Sequence, residues 1–390
     1  MAYAAAGDLP AFDDNQHGSV GLLYPDDRLP LFAGPVEPLE FLDDLELNGL
    51  IDDISDTSSN PEMTRNLLCS PLADPDHIRY RQEIFADLTK PGLREEVGHV
   101  VALLAQLRRR LPSLLQVDDL RERQGWFLDA AAISCETVNR LADALTSGEV
   151  RSAGLTRLSE TIDRYRHSGT FIELAVAVSA QQQALARVRY CIAIAGRRVE
   201  VSRYDDQPDC SHEIEDTFRR FQVDAPTDYR QTYRLSPALG RLGAQILALV
   251  ADLFPDPFDS LRRFCDRHGE FAWDQITALE DELGFYLSYL DRIAPLVDAG
   301  LPFCYPAITD ADGDEEATGT FDIALAAKLT AEHKSVVLND FTLRTPRTDI
   351  RRHRPQPGRQ NHLRPHLRTT PLPGQPRMPH PRPSGHHRLL

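Results

Sequence analysis

Several residues in this chain could do chemistry, but their spacing excludes most of the sites they might form. Asp310, Asp312 and Asp314 alternate as in a calcium loop, yet such a loop needs glycine at its sixth position and a bidentate acid at its twelfth. Glu315 and Phe321 stand there, so the stretch reads as a solvated acidic linker. His212-Glu213 lacks the second histidine, four residues on, that a zinc protease helix requires. The cysteines at 69, 135, 191, 210, 265 and 304 form no Cys-x-x-Cys pair and read as reduced, structural thiols. With no Gly-x-Ser-x-Gly, no dinucleotide fingerprint and no intact phosphate loop, no catalytic, cofactor-binding or metal-ligating residue is assigned. What remains is arginine. Clusters occur at Arg108 to Arg110, Arg121 with Arg123, Arg197 with Arg198, and Arg262 with Arg263. Of these, Arg108, Arg109, Arg110, Arg197 and Arg198 are the candidates for contacting phosphates, against the reading of each cluster as a solvated face.

The net charge of -16 hides a division of the chain. Residues 346 to 390 hold 10 Arg, no Lys and one acid, Asp349, a net of +9. The 33 basic and 58 acidic residues before them give -25. So acidic a body is a poor nonspecific ligand for a polyanion, and any DNA binding must come from local arginines or from partner domains. No segment has the roughly 20 apolar residues of a membrane span, and Met1 to Pro10 lacks the basic start of a secretory signal. A cytoplasmic location without a membrane partner is expected.

The elements that must position the arginines are mostly helical. Residues 1 to 38, rich in Pro, Gly and Asp without a period, read as a mobile leader. From about residue 39 to 302 apolar residues recur every three or four positions, as in Val97, Val100, Val101, Leu104, Leu107, Leu111 and Leu114, the mark of long amphipathic helices. Further runs cover Trp126 to Leu145 and Leu155 to Ile162. The period changes between Arg187 and Tyr204, where RVRYCIAIAGRRVEVSRY alternates around Ala195-Gly196-Arg197 and predicts a two-stranded hairpin. Helical spacing resumes by Glu213, continues through Leu235 to Phe254 and Phe258 to Leu296, and ends at Pro302. The acidic linker then leads to a strand in VVLNDFTL, residues 336 to 343.

The segment TRNLLCSPLADPDHIRYRQEIFADL, residues 64 to 88, carries Leu67, Leu68, Pro71, Leu72, Asp74, Ile78, Arg81 and Leu88. Asp74 or Asp76 can cap a helix whose inner face holds Ile78, Phe85 and Leu88. This pattern resembles the opening of the helical core in the MutS family of DNA mismatch-repair proteins. The order of elements is similar too: core helices, long lever helices, an insertion, returning helices ending in GLPFCYP (300 to 306), and VVLNDFTL just before the family's ATPase. The resemblance spans residues 39 to 345. It implies a mainly α fold, a long-helix core and lever bundle with a small β-hairpin insertion, truncated before an α/β ATPase domain. It also implies DNA as partner, a homodimer in the intact form, and ATP with magnesium as cofactors of the part not present. The family's mismatch-reading domain has no counterpart before residue 39, and Phe171-Ile172-Glu173 fits its Phe-x-Glu motif only by chance, inside a helix. A helical protein-interaction scaffold without a nucleic-acid role is the alternative.

Residues 303 to 345 are thus expected to be linker and first ATPase strand, and 346 to 390 a disordered tail. The tail holds 10 Pro, 10 Arg and 6 His in 45 residues, a composition that cannot bury a core. With 3 Lys against 40 Arg, a GC-rich gene is expected. Read one base later through permitted synonymous codons, Arg351 to Arg368 spells VVTGPNQGGKTTFARTF, which contains the family's phosphate loop, GPNxGGK followed by Ser or Thr. In such a loop glycines let backbone N–H groups cradle phosphates, the lysine reaches the terminal phosphates and the hydroxyl binds magnesium. A frameshift near residue 346 is the expected origin of the tail, with a genuine basic nucleic-acid arm as the rival explanation.

Overall fold

In the computed structural model, residues 21–25, 42–43, 45–70, 72, 74–195, 198–205, 237–269, 273–308, 315–343 and 350–352 are described. They fall into two units. The first comprises Met1–Ala105, Val138–Tyr165 and Ala272–Leu390, and the second Gln106–Thr137 and Arg166–Phe271.

In the first unit, some helices begin at side-chain caps. α1 (Asn48–Thr57) precedes α2 (Pro61–Cys69), where the Asn60 side chain accepts from the Met63 N–H at 3.1 Å and Pro61 supplies the first turn. α3 (Pro75–Leu88) starts the same way, with Asp74 accepting from the Asp76 N–H at 2.8 Å. The first part of α4 (Pro91–Gln116), the last part of α5 (Leu120–Ser147), α6 (Ala153–Arg166) and α10 (Trp273–Asp298) complete the bundle. Ile84, Leu88, Val97, Val100, Leu141, Leu155, Leu283 and Tyr286 form its core, each at most 1 % exposed. α6 approaches α3 so closely at Gly154 that an added Cβ would lie 2.6 Å from Ile84 Cδ1 and 2.7 Å from Tyr80 Oη. α10 ends before Gly300, whose φ of +79° lets Gly300 N–H reach Val297 O at 2.9 Å and Leu301 N–H reach Leu296 O at 3.1 Å.

Two expectations are corrected here. Leu22, Leu23 and Tyr24, assigned to a mobile leader, are buried in this core. Side chains from α3 and α10 complete their backbone: Glu282 Oε2 accepts from Leu22 N–H, Tyr286 Oη donates to Leu22 O, Tyr80 Oη donates to Gly21 O, all at 2.7 Å, and Arg81 Nε donates to Leu23 O at 2.9 Å. A segment held by side chains has no period, so pattern reading is blind to it. The rest of the leader lies outside the described residues, as do Asp310, Asp312 and Asp314.

The second correction concerns residues 303 to 352. They give β3 (Glu315–Thr320), α11 (Ile323–Ala331), β4 (Asn339–Leu343) and β5 (Ile350–Arg352), with β4 in the middle of a three-stranded antiparallel sheet. Glu315 and Glu316, read as linker, therefore lie in a strand. Their pairing with Leu343 and Thr342 supplies what the apolar-poor sequence of β3 does not announce. The strand expected over 336 to 343 begins only at Asn339, and Ile350 to Arg352, placed in the tail, pair with β4. Residues 353 to 390 lie outside the described residues.

The second unit contains the remainder of α4 and α5, then α7 (Gly169–Ala186), β1 (Tyr190–Ala195), β2 (Arg198–Arg203), α8 (Pro237–Leu253) and α9 (Pro255–His268). Ser168 caps α7 through the Phe171 N–H at 3.2 Å. Phe127 and Phe264 stack at 5.8 Å, and Gln181 ties α7 to α9 by donating to Pro257 O at 2.9 Å and accepting from Ser260 Oγ at 2.8 Å. The hairpin predicted between Arg187 and Tyr204 is present: β1 and β2 pair antiparallel from Tyr190↔Arg203 to Ala195↔Arg198. The resumption of helix at Glu213 lies outside the described residues.

Candidate nucleic-acid interface

Opposed residues in an antiparallel pair share a face, so the register puts Tyr190, Ile192, Val199, Val201 and Arg203 on one face of the hairpin and Cys191, Ala193, Glu200, Ser202 and Arg198 on the other. Arg203 is fixed to the end of α8, donating to Leu253 O at 2.6 Å with its guanidinium 5.0 Å from the Phe254 ring centroid. That contact anchors β2, where Val199 and Val201 are half-buried while Arg198, Glu200 and Ser202 are exposed. Arg187, Arg189, Tyr190, Ile192, Arg198 and Tyr204 are all exposed. Exposed guanidinium and aromatic groups are the components from which phosphate contact and base stacking are made, with Tyr190 and Arg198 on opposite faces of the ladder.

The sequence-derived candidates separate on the structure. Arg198 opens β2 and is exposed, whereas Arg197 lies outside the described residues. Arg108, Arg109 and Arg110 sit on α4 within the second unit; Arg109 is exposed and Arg108 half-buried. Arg110 is paired with Asp129 and lies 5.4 Å from the Trp126 ring centroid. The other clusters are bound locally: Arg121 faces Asp252 at 3.9 Å, Arg123 donates to Val117 O at 2.8 Å, and Arg262 lies 3.5 Å from Asp259 and 3.8 Å from Asp266. Arg187, Arg189, Tyr190 and Tyr204 were not among the candidates, although RVRY and SRY frame the predicted hairpin and carried that signal.

Charge follows the division into units. The second unit contains 19 basic and 20 acidic residues, a net of -1, while the first, up to residue 345, contains 14 basic and 38 acidic, a net of -24. Elsewhere in the second unit, burial pushes the Cys135 thiol up to about 11, and burial reinforced by Asp266 pushes Cys265 up to about 12. Neither is a thiolate nucleophile at neutral pH. Among the described residues no group of His, Cys, Asp or Glu is placed to hold a metal ion, and no helix is long and apolar enough to cross a membrane. Compared with protein-family models, curated proteins and solved structures, the chain matches none.

Proposed function

We propose that this chain is a MutS-like DNA-repair scaffold in which the second unit makes the DNA contacts and the first supplies the helical core of the lever. The observation that carries the reading is the exposed arginine and tyrosine hairpin, inserted between helices of a unit that is close to neutral while the rest of the body is strongly acidic. α4 and α5 each contribute residues to both units, as a lever element must. The residues that carry the family resemblance support architecture and not chemistry: Asp74 caps α3, and Leu67, Ile78, Arg81 and Leu88 are buried.

ATP, magnesium and a second subunit belong to the proposal through resemblance alone. The glycines, lysine and hydroxyl of a phosphate loop do not occur in this chain, so no residue here fits a nucleotide and no hydrolytic step is assigned. Cytoplasmic location is part of the same reading.

Binding of the full chain to mismatched and branched duplexes, measured against salt, tests the proposal. Phosphate contacts release counterions, so affinity should fall steeply with salt, and Arg189→Ala with Arg198→Ala should lessen the log-log slope by roughly 1 per contact removed. Salt-independent binding, or none at low salt, removes the DNA role and leaves the protein-interaction scaffold.

A further inference from the structure

In the second unit, α7 buries one side and leaves the other open. Phe171, Leu174 and Val178, each 4 % exposed, pack inward, while Ile172 and Val176 are 50 % and 65 % exposed. Val176 is the most exposed large apolar side chain among the described residues. The outward positions 172, 176, 179, 183 and 186 follow at steps of four, three, four and three, the spacing of a helix that pairs with another helix. Ile172, Val176, Ser179, Gln183 and Ala186 occupy them, all exposed. The two polar members are turned on each other, Gln183 Nε2 donating to Ser179 Oγ at 3.3 Å. No charged residue occurs from Leu174 to Ala186. A helix face meant for water ordinarily carries charges, as α9 does with Asp259, Arg262, Arg263, Asp266 and Arg267 exposed.

Charges of opposite sign bound this stripe. Glu173, exposed and 3.4 Å from Arg267, stands near its start, and the exposed Arg187 stands at its end. A face with an anion at one end and a cation at the other is complementary to itself when the second copy is turned end for end, as a two-fold axis does. We propose that α7 is a self-association surface on which a second copy of this chain docks antiparallel, about a two-fold axis at Ala180. Glu173 and Arg187 each lie seven residues from Ala180, so Glu173 of either copy faces Arg187 of the other. Val176 packs on the alanine-rich last turn of the opposite helix, and the small Ala180 lies where the two backbones come closest. The second unit, at a net of -1, sets no large repulsion against this approach. One helix face is smaller than a standard interface, so the dimer dissociates in the micromolar range. This surface is independent of the DNA reading.

Analytical sedimentation of the full chain over a micromolar concentration range, without DNA, tests it. A reversible monomer to dimer equilibrium is expected. Val176→Glu changes a side chain already in water, so it should keep the parent's circular dichroism and weaken association at least tenfold. Glu173→Arg and Arg187→Glu should each weaken association severalfold, and the double reversal should restore it, because opposite charges then face each other again; the exposed Glu173–Arg267 pair lost in the process contributes little to folding. On oxidation, Ala180→Cys should form an intermolecular disulfide with its own mate beyond that of the parent, and Ile172→Cys, far from the axis, should not. A chain that stays monomeric, association indifferent to Val176→Glu, a double reversal no better than either single change, or self-crosslinking at Ile172 in place of Ala180 overturns the proposal.

Discussion

The two units are built from the same helical material, yet differ in what they leave facing outward. The first unit carries a net of -24 up to residue 345 and gathers widely separated segments into its main core, including residues 22 to 24 held by side chains of α3 and α10, beside a smaller cluster around Ile51 and Ile54. The second is close to neutral, buries apolar side chains of its own such as Leu107, Phe171, Leu174, Leu261 and Phe264, and exposes a basic, aromatic hairpin. Burial and acidity suit a scaffold, whereas exposed cations suit contact with a polyanion.

The contrast can be tested in order of expected effect. Tyr286, fully buried and bonded to Leu22 O at 2.7 Å, anchors the first core, and Tyr286→Ala should cost about 3–5 kcal/mol by loss of an aromatic core side chain. Denaturant unfolding reads that cost, and hydrogen exchange should show Leu22 to Tyr24 losing protection with it. A small effect would mean that the segment is not part of the core. Gly154→Ala should cost about 1–3 kcal/mol by overpacking against Ile84 and Tyr80, measured by the same midpoint shift.

Asp87 gives the pH test. Burial pulls its carboxyl up, but N–H donors from Ser152 at 2.7 Å and Arg151 at 2.8 Å, with the Lys90 ammonium at 3.0 Å, outweigh burial and hold it below its ordinary value. A folded value below the unfolded one stabilises the protein above the unfolded pKa of about 3.9, and that contribution disappears as pH falls through the folded value. Asp87→Asn should therefore reduce stability at neutral pH and flatten the acid limb of the stability curve. An unchanged acid limb would remove this network as its cause. The smallest effect is expected in the second unit: Arg110→Ala, which deletes an exposed ion pair and a contact with Trp126, should cost about 1 kcal/mol or less. If it instead abolishes DNA binding, α4 and not the hairpin is the principal contact surface.

Periodicity was sufficient for the helices between residues 39 and 302 that are described and for the hairpin, though not for α11, because each satisfies its own backbone groups locally and declares its buried face every three or four residues, or every second one. Asp74, one of two cap candidates with Asp76, was equally legible, since a cap acts within one turn; the caps at Asn60 and Ser168 were not anticipated. The sequence therefore determined the mainly helical class, the hairpin and the arginines it carries. Tertiary structure alone decided that Leu22 to Tyr24 belong to the core, that Glu315 and Glu316 enter a sheet, and that Arg110 and Arg262 are paired with acids while Arg198 is exposed. Apart from the Arg262 pairs, whose i,i+3 and i,i+4 spacing lies within α9, each of these depends on partners far away in the chain or on another element, where no local spacing reports them.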